Sequence, residues 1–573
     1  MRNLQRYGLP KSIHASPYLM ACLMACMPQS FAQTLPDAGS LQQQINKDKQ
    51  FNTPKEVFTP LVPQPSERKN VAGPKLTVTQ FIWVGNTIYP SAALAKVTEG
   101  FLNRLIDFSE LELAAVAVAD FYRASGYVVR TSLPPQDIKN GVVTIEITEA
   151  NFGKVRLDGP ASKLVDTKRI LETIYAVQKP GEKLNSNSID RALALASDLA
   201  GVQIQGRLSE GGLNGQTDLV VTLQGAPRVK MDVSADNSGA RSTGKNRIAA
   251  NLMVNSPLGM GDQLSINSLA TEGSQYIRLA QAVPVGYSGL RVGANTSHLN
   301  YKLISQDYSA LQAKGTADAY GFDAVYPFVR TRQSNLNGLL AVDRKHYLNQ
   351  TNATMASDYE SRLLHLGING SFADAYWGGG RTSMGLTTTK GFLDLSKSAT
   401  QSADANTTKT AGHFNKLKYA LARDQEIGRG VSVYASLNGQ SASKNLDSSE
   451  KFYLGGMNGV RAYPTSEGGG SQGQLANLEL RGRLGQSSTV TGFYDHGRVT
   501  VNTHNDYSGA PSLNKYALKG FGTSYGYIAS QGLSLKVTVA RRIGNNPNPT
   551  PSGNDQDGTL VKTRVWLNAN VAF

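Results

Sequence analysis

Alternation of apolar and polar residues with a period of two dominates the chain from Ala226 to its last residue. The clearest run, Leu475-Ala-Asn-Leu-Glu-Leu-Arg-Gly-Arg-Leu484, puts Ala476, Leu478 and Leu480 on one face and Asn477, Glu479, Arg481 and Arg483 on the other. Successive side chains of a strand point to opposite faces, so the pattern describes a sheet with lipid on one side and water on the other. Roughly sixteen such runs follow one another, with no convincing helical pattern between them, which suits a large closed barrel over 227–573. Short connections at 257–261, 284–289, 378–380, 428–430, 485–488 and 530–532 alternate with long ones such as 395–412, 445–473, 500–515 and 544–558. Bacterial barrels carry short periplasmic turns and long outer loops, so both ends of this one are expected to face the periplasm.

Ahead of the barrel the periodicity changes twice. Residues 75–150 read as a mixed module: an alternating strand over 77–84, two helical stretches, then strands over 127–133 and 142–148. Ser109 and Glu112 have capping-box spacing ahead of Leu111, Val116, Ala119 and Phe121, and Gly126 ends that helix. Residues 151–226 repeat the order, with a strand over 153–157, helices near 167–178 and 186–200, and strands over 202–208 and 218–224. Two tandem modules of one type are predicted. Residues 51–74 contain five prolines and no periodicity, the mark of an extended, stiff linker. The preceding 33–50 segment holds a helix beginning near Asp37, with Leu41 and Ile45 as its lone apolar i, i+4 pair; so polar a helix has little to bury and suits a wet pore or solvent.

Composition changes this picture mainly at the amino end. Arg2, Arg6 and Lys11, an apolar stretch from Tyr18 to Met27 and Ser30-Phe31-Ala32 form a secretory signal over 1–32. Its apolar part is about ten residues, half of what a membrane-crossing helix needs. Both cysteines, Cys22 and Cys26, lie inside it, so a chain cleaved after Ala32 has no thiol; each also ends a Leu-Met-Ala-Cys string, which leaves lipidation as the alternative. The net charge of +15 could suggest nucleic acid, but Lys and Arg are scattered along alternating segments instead of clustered, and nucleic acid is not expected as a ligand. The seven histidines are isolated and no phosphate-binding glycine loop occurs, so neither metal, cofactor nor catalytic residue is expected.

Two motifs stand late in the barrel. Val460-Arg461-Ala462-Tyr463 sits in a stretch containing seven glycines between 454 and 473, and Phe493-Tyr494-Asp495-His496-Gly497 places Phe493, Asp495 and Gly497 on one strand face. If that face is the lumen, the Arg461 guanidinium could meet the Asp495 carboxylate across the missing side chain of Gly497. With its leading helix and paired modules, the chain resembles the two-partner secretion transporters. The resemblance covers nearly the whole mature sequence. It makes 33–50 a plug-like helix, 75–150 and 151–226 polypeptide-transport-associated (POTRA) modules, and 227–573 the pore. Val460 to Tyr463 correspond to the family's Val-Arg-Gly-Tyr at the tip of the sixth surface loop, and Phe493, Asp495 and Gly497 to its Phe-x-Asp-x-Gly in the thirteenth strand. Ala462 replaces the family glycine, which puts a positive φ there in doubt. Phe573, an aromatic last residue on a strictly alternating strand, resembles the barrel-assembly signal.

The resemblance implies a mainly β protein with α+β modules: a monomeric outer-membrane pore, not an enzyme, with its modules in the periplasm. Its partners would be a large unfolded exoprotein (adhesin, haemolysin or toxin carrier) bound through its amino-terminal domain, outer-membrane lipid and the barrel-assembly machinery. Export would proceed without ATP. A barrel-assembly factor is the main alternative, and a passive channel the second, although the latter leaves 33–226 without a purpose.

Overall fold

The computed structural model describes residues 35–51, 75–213, 215–529 and 532–573. The secretory segment expected over 1–32 lies outside these residues, as does the Pro-rich linker apart from Phe51. The chain opens with helix α1 (Ala38–Phe51), followed by β1 (Leu76–Thr77), β2 (Gln80–Val84), α2 (Ser91–Thr98), β3 (Leu105–Ile106), α3 (Phe108–Ala124), β4 (Val129–Ser132) and β5 (Val142–Glu149). Next come β6 (Asn151–Leu157), α4 (Thr167–Tyr175), α5 (Ser186–Ser197), β7 (Val202–Glu210) and β8 (Gln216–Gly225).

Each of the two small units is a three-stranded sheet backed by two helices, with strand orders β2-β5-β4 and β6-β8-β7. The expected single strand over 77–84 is broken, because the chain changes partner at Val78 and Thr79. Leu76 and Thr77 pair with β3, whereas β2 runs parallel to β5. The cap of α3 also lies two residues earlier than the sequence suggests. Asp107 is the N-cap, accepting from the Glu110 amide at 3.1 Å, while the Glu110 carboxylate accepts from the Asp107 amide at 3.2 Å. An aspartate in extended backbone supplies a charged acceptor for the first free N–H groups, and Ser109 is left to donate to Asp107 at 2.6 Å. Helices α4 and α5 stop about three residues before the apolar periodicity does.

The two units have separate apolar cores but a hydrogen-bonded junction. The Leu184 amide donates to Ala150 at 2.8 Å, and Ser186 to Gly126 at 2.7 Å. Glu149, fully buried between them, accepts from the Thr87 and Ile88 amides at 2.8 and 2.9 Å, from the Thr87 hydroxyl, and from Tyr122 Oη at 2.9 Å, and meets Lys183 of the second unit at 3.1 Å. Burial pushes the Glu149 carboxyl up, but the Thr87 and Ile88 hydrogen bonds and the Lys183 ammonium outweigh it and hold it at about 2.

The remaining strands are β9 (Val229–Asp236), β10 (Arg247–Asn255), β11 (Gln263–Ala270), β12 (Ser274–Val285), β13 (Leu290–Lys302), β14 (Lys314–Arg330), β15 (Ser334–Thr351), β16 (Thr354–Asp374) and β17 (Gly380–Asp394). After a short helix α6 (Gln401–Asn406) follow β18 (Gly412–Gly428), β19 (Val431–Ala442), β20 (Phe452–Tyr453), β21 (Gly469–Gly470), β22 (Gln472–Leu484), β23 (Ser488–Thr500), β24 (Lys515–Ile528), β25 (Leu533–Arg542) and β26 (Thr563–Ala572). All except β20 and β21 join one closed antiparallel barrel of sixteen strands, in which β26 returns to pair with β9. Closure leaves no strand edge unpaired, the condition for crossing lipid with strands. Helix α6 interrupts a segment where none was expected; Asp404 within it gathers the amides of Thr410 and Ala411 at 2.8 and 3.0 Å and so folds the outer loop locally. Two outer connections, at 271–273 and 352–353, are as short as the periplasmic turns, because β11–β12 and β15–β16 continue as hairpins to their tips.

The second unit is seated on the periplasmic turns. Arg330 pairs with Asp198 at 2.6 and 2.9 Å, Arg169 donates to Pro284 O at 2.7 Å, and Arg191 to Pro327 O at 2.8 Å. Among the described residues no helix is long and apolar enough to cross a membrane; the strands do so.

Candidate functional site

The sixth outer connection, between β19 and β22, does not extend away from the barrel. It turns back so that Leu454, Val460, Ala462 and Tyr463 are buried against Leu475, Phe493, Val499 and Leu518 of the inner wall. Inside it β20 and β21 form a two-residue ladder. Arg461 is carried to Asp495 on β23, the thirteenth barrel strand in chain order. Its Nε and Nη2 reach the two carboxylate oxygens at 2.9 and 2.6 Å, and its backbone amide adds a third bond at 3.0 Å. Asp495 is wholly buried and Arg461 6% exposed, so this pair is desolvated.

Residues from three other strand positions complete the lock. Glu479 accepts from Arg461 Nη1 at 2.8 Å, Asn477 donates to Asp495 at 2.8 Å, and Trp566 Nε1 donates to the Arg461 carbonyl at 2.8 Å. The guanidinium lies over Phe493, 3.5 Å from the ring centre. Each nitrogen of the guanidinium thus reaches a carboxylate oxygen, which is what a buried ion pair needs to offset desolvation. Of these partners Glu479 and Asn477 were legible only as wall residues facing water, and Trp566 carried no signal beyond its place in the last alternating strand.

The structure corrects the expected role of Gly497. A Cβ there would come within 2.8 Å of Leu454 and 2.9 Å of Val460, so the missing side chain admits the apolar flank of the loop and not the guanidinium. Ala462 lies outside the left-handed region, and the methyl it adds is received by Gly520, where a Cβ would stand 2.6 Å from it. Tyr463 stacks under Arg542 at 4.6 Å. A second anchor holds the returning limb: buried Glu467 accepts from Asn546 at 2.9 Å and from the Gln556 amide at 2.8 Å, and Asp555 fixes that partner loop through Arg542 and Arg564. Phe573 is at the barrel seam, exchanging backbone hydrogen bonds with Met231.

The family whose members are described as haemolysin secretion/activation proteins ShlB/FhaC/HecB has a model that matches residues 215–526, more than half of the chain, and the ShlB-type POTRA domain matches 76–150. The chain belongs to the ShlB/FhaC/HecB family. It is similar to the heme/hemopexin transporter protein HuxB of Haemophilus influenzae strain 86-028NP, 26% identical over 531 residues covering 89% of this chain and 92% of that one. The outer membrane transporter CdiB of Dickeya dadantii is 23% identical over 539 residues, covering 91% and 92%. Among solved structures, CdiB from Escherichia coli superposes with a TM-score of 0.74 at 18% identity, covering 95% of this chain and all of that one, and CdiB from Acinetobacter baumannii with 0.66 at 16%, covering 94% and all. The ShlB/FhaC/HecB family is one of two-partner secretion transporters of the outer membrane and not an enzyme family, and this chain is a member of it.

In this transporter α1 lies inside the barrel. Ala38, Leu41 and Ile45 are buried among Tyr276, Tyr301, Tyr347 and Tyr359, so its short apolar stripe does meet a core, made by the lumen itself. Its first amide is held by Asn349 at 2.9 Å, and Asp37 caps Ser40 and accepts from Ser448 at 2.6 Å. Lys47 donates to Tyr453 O and Gly455 O at 2.8 and 3.1 Å, and Gln44 to Ser466 at 3.2 Å. The helix therefore leans on the same loop that Arg461 locks to the wall.

Proposed function

We propose that this transporter passes one large, unfolded exoprotein through its barrel without ATP, and that release of α1 and of the Arg461–Asp495 lock precedes passage. Residues 33–50 act as the plug, 75–150 and 151–226 as the receiving modules, and 227–573 as the pore. The observation that carries this reading is the hydrogen-bonded continuity from wall to loop to helix, which closes the lumen with parts that can leave without breaking a barrel strand pair. Val460, Arg461, Ala462 and Tyr463 hold the loop, while Phe493, Asp495 and Gly497 receive it.

The second module is the entry point for the cargo's amino-terminal domain. Among the described residues its edge strand β7 has no strand neighbour beyond β8, and an extended segment can add to such an edge through backbone hydrogen bonds that tolerate many sequences. Folding of the cargo outside supplies the driving force, as stability accumulates along a repetitive β-structure. Phe573 serves as the signal by which the barrel-assembly machinery closes the β9–β26 seam, and the transporter works as a monomer in outer-membrane lipid.

The test compares surface and medium proteins of cells carrying wild type, Asp495→Ala and a gene deletion, at equal amounts of folded barrel. Loss of one very large protein in both mutants supports export and identifies the cargo. Loss of many outer-membrane proteins on deletion points to barrel assembly instead, and an unchanged profile on deletion points to a passive channel.

A further inference from the structure

The lipid-facing wall of β23, β24 and β25 carries an apolar band that stops at one level. Outward positions Val490 and Tyr494, then Phe521, Tyr525 and Tyr527, then Leu535, Val537 and Val539 are each 38% to 49% exposed, while their strand neighbours point into the lumen. Above this band Lys519 and Arg541 are the next outward positions on β24 and β25, and on β23 Arg498 follows the half-buried His496; all three cations are exposed. They lie roughly eight to ten residues from the periplasmic ends of their strands, which at about 3.3 Å per residue and a tilt near 40° is about 20 to 25 Å, the height of the hydrocarbon band.

The register brings the three together. His496 pairs with Lys519 and Arg498 with Ala517, so Arg498 is diagonal to Lys519; Phe521 pairs with Arg541, so Arg541 is diagonal to Lys519 on the other side. Diagonal neighbours stand about 7 to 8 Å apart, within reach of one multiply charged headgroup. No acidic residue occupies an outward position from β22 to β26, and none of the three cations has an ion-pair partner among the described residues. A pair of outer-wall arginines on β15 and β16 differs in this respect: Arg344 and Arg362 both bond to Glu360, each at 2.7 Å. Three unpaired cations on a lipid-facing wall, at the outer edge of the apolar band, match a negatively charged partner that has acyl chains below and phosphates at that height.

We infer that Arg498, Lys519 and Arg541 form a docking site for a phosphorylated glycolipid of the outer leaflet, its phosphates on the three cations and its acyl chains along the apolar band of β23 to β25. The site lies on the far side of the same β23 that presents Asp495 to the lumen.

The test uses the full-length protein folded in detergent, titrated with bisphosphorylated lipid A and with lipid A stripped of its phosphates, with bound lipid read by native mass spectrometry. Wild type is expected to bind the phosphorylated form at least tenfold more tightly than the stripped one. Combined Arg498→Ala, Lys519→Ala and Arg541→Ala should remove that preference, whereas combined Arg344→Ala and Arg362→Ala should leave affinity within twofold. Equal binding of the two lipids, an unaltered triple variant, or full displacement by millimolar inorganic phosphate overturns the site. Folding is checked by heat-modifiable gel mobility; should the triple variant not fold, Lys519→Glu is read by the same criteria.

Discussion

Replacing Asp495 by alanine tests the lock most directly. The substitution removes the acceptor for Arg461 N, Nε and Nη2 and for Asn477 Nδ2, all within a fully buried site. Glu479 remains on Nη1, so the guanidinium is not wholly abandoned. Breaking a buried ion pair costs about 3 to 5 kcal/mol, and the surviving Glu479 contact places this case near the lower end. About 3 kcal/mol at about 1.4 kcal/mol per tenfold raises the ratio of undocked to docked loop roughly a hundredfold. The chain has cysteine only at positions 22 and 26, so Val460→Cys introduces a reporter thiol at a position that is fully buried while the loop is docked. Labelling by a membrane-impermeant maleimide, on cells with equal folded barrel, should accelerate about a hundredfold when Asp495→Ala is added. Asp495→Asn, which keeps shape and loses charge, should fall between. A labelling rate that changes less than about threefold would refute the argument, because the loop would then be held by its apolar flank alone.

Three further outcomes follow from the same geometry. Gly520→Ala drives a methyl to 2.6 Å from Ala462 and should destabilise loop docking by about 1 to 3 kcal/mol; adding Ala462→Gly should restore it, as read by the same thiol labelling. Leu41→Ala with Ile45→Ala strips the apolar stripe of α1, at about 2 kcal/mol or more for each, and should raise the frequency of open events in planar-bilayer recordings; unchanged recordings would mean that polar contacts alone retain the helix. Glu149 is held at about 2, below its unfolded value, so it stabilises the junction fully above roughly pH 5, contributes about 3 kcal/mol there, and loses that contribution as pH falls toward 2. Hydrogen exchange of α3 and β5 amides should therefore be faster in Glu149→Gln than in wild type at neutral pH, and the difference should vanish near pH 2.

Side-chain direction along a strand is a local property, so a period of two was enough to read the barrel and its inner and outer faces from residues 227–573, while the alternation of short and long connections set its orientation. Helix ends were less legible: α4 and α5 stop about three residues early and α6 was not expected, while at Asp107 and at Val78 and Thr79 a neighbouring residue offered a better acceptor or a different strand partner. The motif residues Arg461 and Asp495 were identifiable, 34 positions apart, but their neighbours were not. Trp566 is 105 residues from Arg461, Asn349 is 311 from Ala38, and Lys183 reaches Glu149 across a module boundary. Only closure of the barrel brings β26 beside β9 and wraps a wall around α1, turning a weak apolar stripe into a buried one and a scattered set of wall charges into a desolvated lock. Those pairings depend on the distance between strands in the closed cylinder, a quantity that no local pattern along the chain encodes.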